Sequence, residues 1–157
     1  MAKKKKVEEE IEEEENSLEG IQALRTHELT NCAYSGSLEE LREGLAVVSL
    51  VATEDMRVDT YGLVHGGFIF SAADFAAMAA VNDKNVVLSA ATSEFLSPVR
   101  VGDEVIFTAK VRHKDGRKRE VYVEGKLLDI KIFTSTMKTV VLDKHVLKLD
   151  LMNASNN

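Results

Sequence analysis

The sequence predicts an α+β fold in which a curved antiparallel sheet wraps around one long central helix, and three features predict it. The run from Gly66 to Val81 is rich in alanine, the strongest helix former. It is apolar on nearly every side, as a helix is when a sheet encloses it rather than when it lies on a surface. One strand-like stretch precedes it and four follow, a combination that suits a single helix packed into an antiparallel sheet.

Taken in order, residues 1–18 hold the runs Lys3 to Lys6 and Glu8 to Glu15, cannot bury a core, and are expected to form a charged, disordered arm. The folded domain is expected over residues 19–145, with 146–157 as a tail. Between Leu18 and Leu41 the pattern is short and interrupted. Ser37 followed by Glu40 resembles a capping box and predicts a helix over Leu38 to Glu43, ended by Gly44. Leu45 to Thr53 is rich in β-branched residues and reads as a strand, followed by a polar excursion from Glu54 to Thr60. After the helix, strands are expected over Val86–Leu96, Glu104–Arg112, Arg119–Leu128 and Ile132–Leu142. The clearest alternation sets Val105, Phe107, Ala109 and Val111 against Glu104, Thr108, Lys110 and Arg112. Asp115-Gly116 supplies a hairpin turn, and Gly125 marks a bulge or bend. Beyond Asp143 an apolar alternation runs to Met152, which fits either a last strand or a segment packed on a neighbour.

Composition narrows the function. With 157 residues and an apolar fraction of 45%, the chain fits one globular domain. Its formal charge of −6 is concentrated near the start, and no basic surface is implied, so nucleic acid is not an expected partner. The single cysteine, Cys32, precludes an intramolecular disulfide and a multi-cysteine metal site, and reads as an ordinary thiol. His113 and His145 stand alone, without metal-ligand spacing, so no metal is expected. The lysine-rich start is not followed by an apolar stretch, so the reading is cytoplasmic. Gly66 to Val81 is short for a bilayer and carries Asp74, which argues against membrane insertion.

One constellation carries chemistry: His65-Gly66-Gly67 at a helix start, with Asp74 further along the same helix. A helix N-terminus presents unpaired N–H groups and a positive dipole end, and glycines let a ligand approach that backbone. Such a turn suits a carbonyl oxygen that becomes an oxyanion. Asp74 follows Phe70 and Ser71 by about one turn and is otherwise surrounded by alanine, phenylalanine and methionine. A carboxylate in such a helix is costly unless it is paired, protonated or facing a cleft, so both a functional acid and a structural ion pair are open readings.

At these residues the sequence resembles the hot-dog thioesterases of the phenylacetate-pathway and 4-hydroxybenzoyl-CoA type. Their signature is a His-Gly-Gly followed by an acid on the central helix at the spacing between His65 and Asp74. The similarity continues through Phe95-Leu96-Ser97-Pro98 and Val101-Gly102-Asp103-Glu104, and covers about residues 45 to 142. The resemblance implies a hot-dog fold and hydrolysis of an acyl-CoA or acyl-carrier-protein thioester, with coenzyme A present only as part of the substrate and no separate cofactor. It makes Asp74 the nucleophile or general base, lets the backbone at Gly66 and Gly67 polarise the carbonyl, and gives Ser97 a place beside water or Asp74. His65, Asp59, Ser71 and Phe68 fall on the substrate-binding side, with His65 chiefly supporting the turn. The family's site lies between two protomers, which implies a homodimer or a dimer of dimers.

Many of these thioesterases carry an asparagine six residues before the histidine, where this chain has Asp59. An aspartate cannot donate through an amide and brings a second negative charge. A second resemblance is to the hot-dog effector domain of malonyl-CoA-responsive repressors of fatty-acid synthesis, through Thr53-Glu54-Asp55-Met56 leading into the glycine turn and the alanine-rich helix. Those domains bind an acyl thioester without cleaving it, so a non-catalytic binder or sensor is the alternative. Arg100, Arg112, Arg117, Lys118 and Arg119 are a group for coenzyme A phosphates or simply a solvated face. A dehydratase ranks third, because His65 and Asp74 on one helix do not supply a histidine–acid pair.

Overall fold

The computed structural model describes residues 22–149. The charged arm expected over 1–18 and the tail beyond Leu149 lie outside them.

A short helix α1 (Cys32–Ser35) leads into strands β1 (Ser37–Arg42) and β2 (Leu45–Val51). The central helix α2 (Gly66–Val81) follows, then β3 (Val86–Phe95), β4 (Glu104–Asp115), β5 (Lys118–Leu127) and β6 (Ile130–Val141). The six strands form one sheet in the order β1-β2-β4-β5-β6-β3, with every neighbouring pair antiparallel. This is the predicted α+β architecture.

Alternation on the strands builds the core. Val105, Phe107 and Ala109 point inward from β4, and Ala46, Val48 and Leu50 point inward from β2. They close on α2, where Ile69, Ala72, Ala73 and Phe75 to Ala80 are all buried. A helix this poor in side-chain bulk lets the sheet approach closely, so packing rather than propensity holds it. Gly116, at φ 57°, occupies the expected β4–β5 turn. At Gly125 the β5–β6 register shifts, and an added Cβ would stand 2.9 Å from Phe107 Cε1, so glycine is needed there for the aromatic core.

The helix predicted over Leu38–Glu43 is a strand. Leu38 and Leu41 are three apart, a helical spacing, but the β1–β2 register shifts between Leu38 and Glu40. That bulge lets one strand direct both leucines toward the core, Leu41 fully and Leu38 partly buried, and two inward residues at i and i+3 then mimic a helix. The capping pair is absorbed otherwise: Glu40 pairs with Arg42, and Ser37 lies opposite Ser49. Gly44, at φ 71°, turns the β1–β2 hairpin instead of ending a helix. After Asp143, the described part of the tail makes one 3-10 turn, Val146–Lys148, and no strand.

Gly36 joins α1 to β1 at φ 82°, and a Cβ there would meet Val48 Cγ1 at 2.6 Å and Ser49 O at 2.7 Å. Gly36→Ala is therefore expected to destabilise the fold by about 2–4 kcal/mol, from backbone strain and overpacking together. Urea denaturation checks it, and an unchanged midpoint would sink the assignment.

Candidate functional site

Two regions of the protomer carry the residues singled out by the sequence. The first is the N-terminal end of α2. His65 is the N-cap residue, its backbone N–H donates to Met56 O at 2.8 Å, and Val64 N–H donates to Val99 O at 2.9 Å. The first bond ties the glycine turn to the 3-10 turn Glu54–Met56, and the second ties it to the chain leaving β3. Gly66 and Gly67 supply amides that precede the first intrahelical donors of α2, so they face outward along the positive end of the helix.

Side chains approach both glycines closely. A Cβ on Gly66 would lie 3.3 Å from the Phe95 ring, and one on Gly67 would lie 2.9 Å from His65 Nε2. The His65 ring thus sits over Gly67, with the Phe68 ring edge-on to it at 6.0 Å. Phe68 also packs against Tyr34 of α1. Ser97 belongs to the same end, its N–H reaching Ile132 O at 3.4 Å. Asp59 caps its own loop: Oδ1 accepts from Tyr61 N–H at 2.9 Å and Leu63 N–H at 3.2 Å. Ser71 Oγ is bonded to Ser35 Oγ at 2.7 Å, so it fastens α1 to α2.

The second region surrounds Asp74. Eight residues at 1.5 Å each place it about 12 Å along the helix from Gly66, beyond reach of the glycine turn in the same protomer. Asp74 lines a cavity of about 390 Å³ together with Thr26, His27, Met78, Lys84, the start of β3 and His145. Its Oδ1 is buried and has no hydrogen-bond partner. Burial pushes the Asp74 carboxyl above the usual carboxylate range, and the nearby His27 draws it part of the way back. Burial likewise lowers His27, with Asp74 opposing it.

His27 carries no recognisable motif, and the sequence reading passed over it. His145 reads as isolated in sequence, yet it lines the same cavity. Among the described residues, no group of three His, Cys, Asp or Glu side chains is placed to hold a metal ion. No helix among them is long and apolar enough to cross a membrane.

Residues 61–133 match the family model of the thioesterase superfamily, a segment that begins just before the glycine turn and runs into β6. Over 119 residues the chain is 49% identical to methylthioribose-1-phosphate isomerase of Aquifex aeolicus, covering 76% of this chain but only 26% of that longer protein. The acyl-coenzyme A thioesterase PaaI of Escherichia coli is 40% identical, with 64% of this chain and 67% of PaaI covered. Transcription factor FapR of a Thermoanaerobacter species is 30% identical over 88% of this chain and 70% of its own length. Among solved structures, the uncharacterised protein PH1136 of Pyrococcus horikoshii superposes with a TM-score of 0.81 at 41% identity, covering 82% of this chain and 98% of its own. By its motifs, its sheet-wrapped helix and these likenesses, the chain belongs to the hot-dog thioesterase superfamily.

Proposed function

We propose that this protein hydrolyses an acyl-CoA or acyl-carrier-protein thioester at a site shared by two protomers in the cytoplasm. The observation that carries the reading is Asp74: a carboxylate with one oxygen buried and unpaired, on the wall of a cavity, in a helix otherwise apolar. An unsatisfied charged group is costly to a fold and is retained where it has work on a ligand. Asp74 holds and activates the attacking water, while the Gly66 and Gly67 amides of the other protomer take the developing oxyanion. Ser97, beside the glycine turn, helps position the water. Side chains, backbone and water suffice for this step, and coenzyme A enters only with the substrate.

The separation of Asp74 from its own glycine turn supports a shared site. So does β3, one of the two outer strands of the sheet, whose second edge is unpaired among the described residues. It ends in Phe95, which is 55% exposed, and is followed by Leu96, which is 49% exposed. Pairing of two β3 edges would extend the sheet and cover these side chains, giving a homodimer.

A second reading, ligand binding without hydrolysis, is favoured by one observation. Asp59 spends Oδ1 on its own loop, so the position that carries an amide donor in many relatives offers only another carboxylate oxygen here. The FapR likeness points the same way. Thioester hydrolysis across acyl-CoAs from acetyl to palmitoyl, run beside ligand-induced thermal shift, separates the two. Turnover with at least one acyl group is expected; a thermal shift without turnover would replace the hydrolase with a sensor.

A further inference from the structure

We propose that His27 is the second acid–base group of this site, delivered to the Asp74 cavity by the strap formed by residues 22–30. The inference rests on the hydrolase reading above and extends it to a residue outside the segment that matches the family model.

Several tethers hold the strap. Gln22 N–H donates to Leu41 O at 2.9 Å, and Asn82 grips both sides of Leu24: Arg25 N–H donates to its Oδ1 at 2.8 Å, and its Nδ2 donates to Ala23 O at 3.0 Å. Asn82 is 3% exposed and adopts φ 51° at the end of α2, a left-handed conformation that asparagine tolerates better than most residues. Thr26 is buried beside it. His27 itself is held at φ 54°, a conformation that costs a non-glycine residue free energy, and Thr30 pins it by donating N–H at 3.1 Å and Oγ1 at 2.7 Å to His27 O. A strained residue tied from both sides is informative about where its side chain must be.

His27 lines the same cavity as Asp74 and is electrostatically coupled to it. Its Nδ1 is bonded to Thr26 Oγ1 at 2.7 Å, which leaves Nε2 without a protein partner among the described residues. Among the described residues no ion pair or hydrogen bond joins His27 to Asp74, and both line the same cavity of about 390 Å³. The other charged or titratable groups on this cavity are Lys84, after α2, and His145, after β6. Nδ1 of His145 already accepts from Leu147 N–H at 3.1 Å, so that ring is engaged locally.

In the resulting step, the water oxygen bonds to the thioester carbonyl carbon while its proton passes to His27 Nε2. Asp74 keeps the second water hydrogen in place and stabilises the imidazolium. Collapse of the tetrahedral intermediate breaks the C–S bond, and the imidazolium returns the proton to the departing sulfur. The products are a carboxylic acid and a free thiol, and the histidine ends neutral.

The test combines kinetics with a titration that needs no turnover. Partial burial holds the ring of the otherwise exposed His27 below the usual histidine range, so wild-type kcat/KM is expected to fall as pH drops and the ring protonates. His27→Gln is expected to lower kcat about 10- to 100-fold, leave KM near its original value and remove the imidazole's share of that acid limb, leaving the share set by protonation of Asp74. Asn82→Gly, which keeps the backbone conformation but releases the strap, should remove the imidazole's share too, whereas His145→Gln should retain it. By NMR, the His27 ring should titrate lower in Asp74→Asn than in wild type, because the carboxylate that raises it is gone. An acid limb and kcat unchanged in a folded His27→Gln, or a His27 titration indifferent to Asp74→Asn, would overturn the proposal. A wild type that turns over no thioester yet shows the coupled titration would overturn the hydrolase reading and the proton-transfer step, while confirming the pairing.

Discussion

Asp74→Asn is expected to cut thioester turnover by about 10²- to 10⁴-fold while making the protein more stable at neutral pH. The two effects share one origin. Asp74 has a buried, unpartnered carboxylate oxygen, and burial holds its folded-state pKa above the unfolded value. Across the interval between those two values the folded state binds more protons than the unfolded state, so stability falls as pH rises through it. Above that interval the fold carries the whole cost of an ionised, desolvated group. Asparagine has nearly the same shape and no charge to desolvate, so its melting temperature should exceed that of wild type at pH 7 and approach it below the folded-state pKa. Calorimetry at several pH values and an acyl-CoA assay measure the pair of effects. Lost turnover with lowered stability at every pH would show that Asp74 is a structural acid.

The same physics explains what the sequence discloses and what it hides. Strand β4 alternates cleanly because one of its faces is buried, and α2 is uniformly apolar because the sheet wraps it, so both are legible from pattern alone. Strand β1 is not, because its bulge between Leu38 and Glu40 converts a period of two into a spacing of three. The glycine turn is legible because paired glycines at a helix start stand out in the sequence, and in the fold the Phe95 and His65 rings lie close over them. His27 is hidden because its position depends on Asn82, 55 residues away in sequence, gripping the strap through two hydrogen bonds. No local period or spacing encodes such a contact. Asp59 is intermediate: its presence is plain in the sequence, but only the structure shows that its first task is to hold residues 61 and 63.

Phe133→Ala is expected to remove about 3–5 kcal/mol of stability, a large share of the roughly 5–15 kcal/mol available to a domain of this kind. Phe133 is fully buried and stands between two other rings, Phe107 at 6.2 Å and Phe95 at 5.1 Å, both edge-on. Gly125 brings the β5 backbone against this column, since a Cβ there would lie 3.3 Å from Phe133 Cβ and closer still to Phe107. Backbone pressed so near a ring relaxes little when the ring is deleted, so the cavity left behind should persist and the loss should fall at the upper end of the range. The column also reaches the functional end of the helix, because Phe95 lies against Gly66. Without Phe133, Phe95 loses its inner support, and the turn proposed to receive the oxyanion loses the ring that lies against it. Activity measured well below the melting point should therefore fall as well, with a smaller loss of both properties in Phe133→Leu. Urea denaturation and kcat at low temperature give the two readings. A loss below about 1 kcal/mol would mean that the sheet collapses into the space, while a large loss with unchanged kcat would mean that the glycine turn is held from elsewhere.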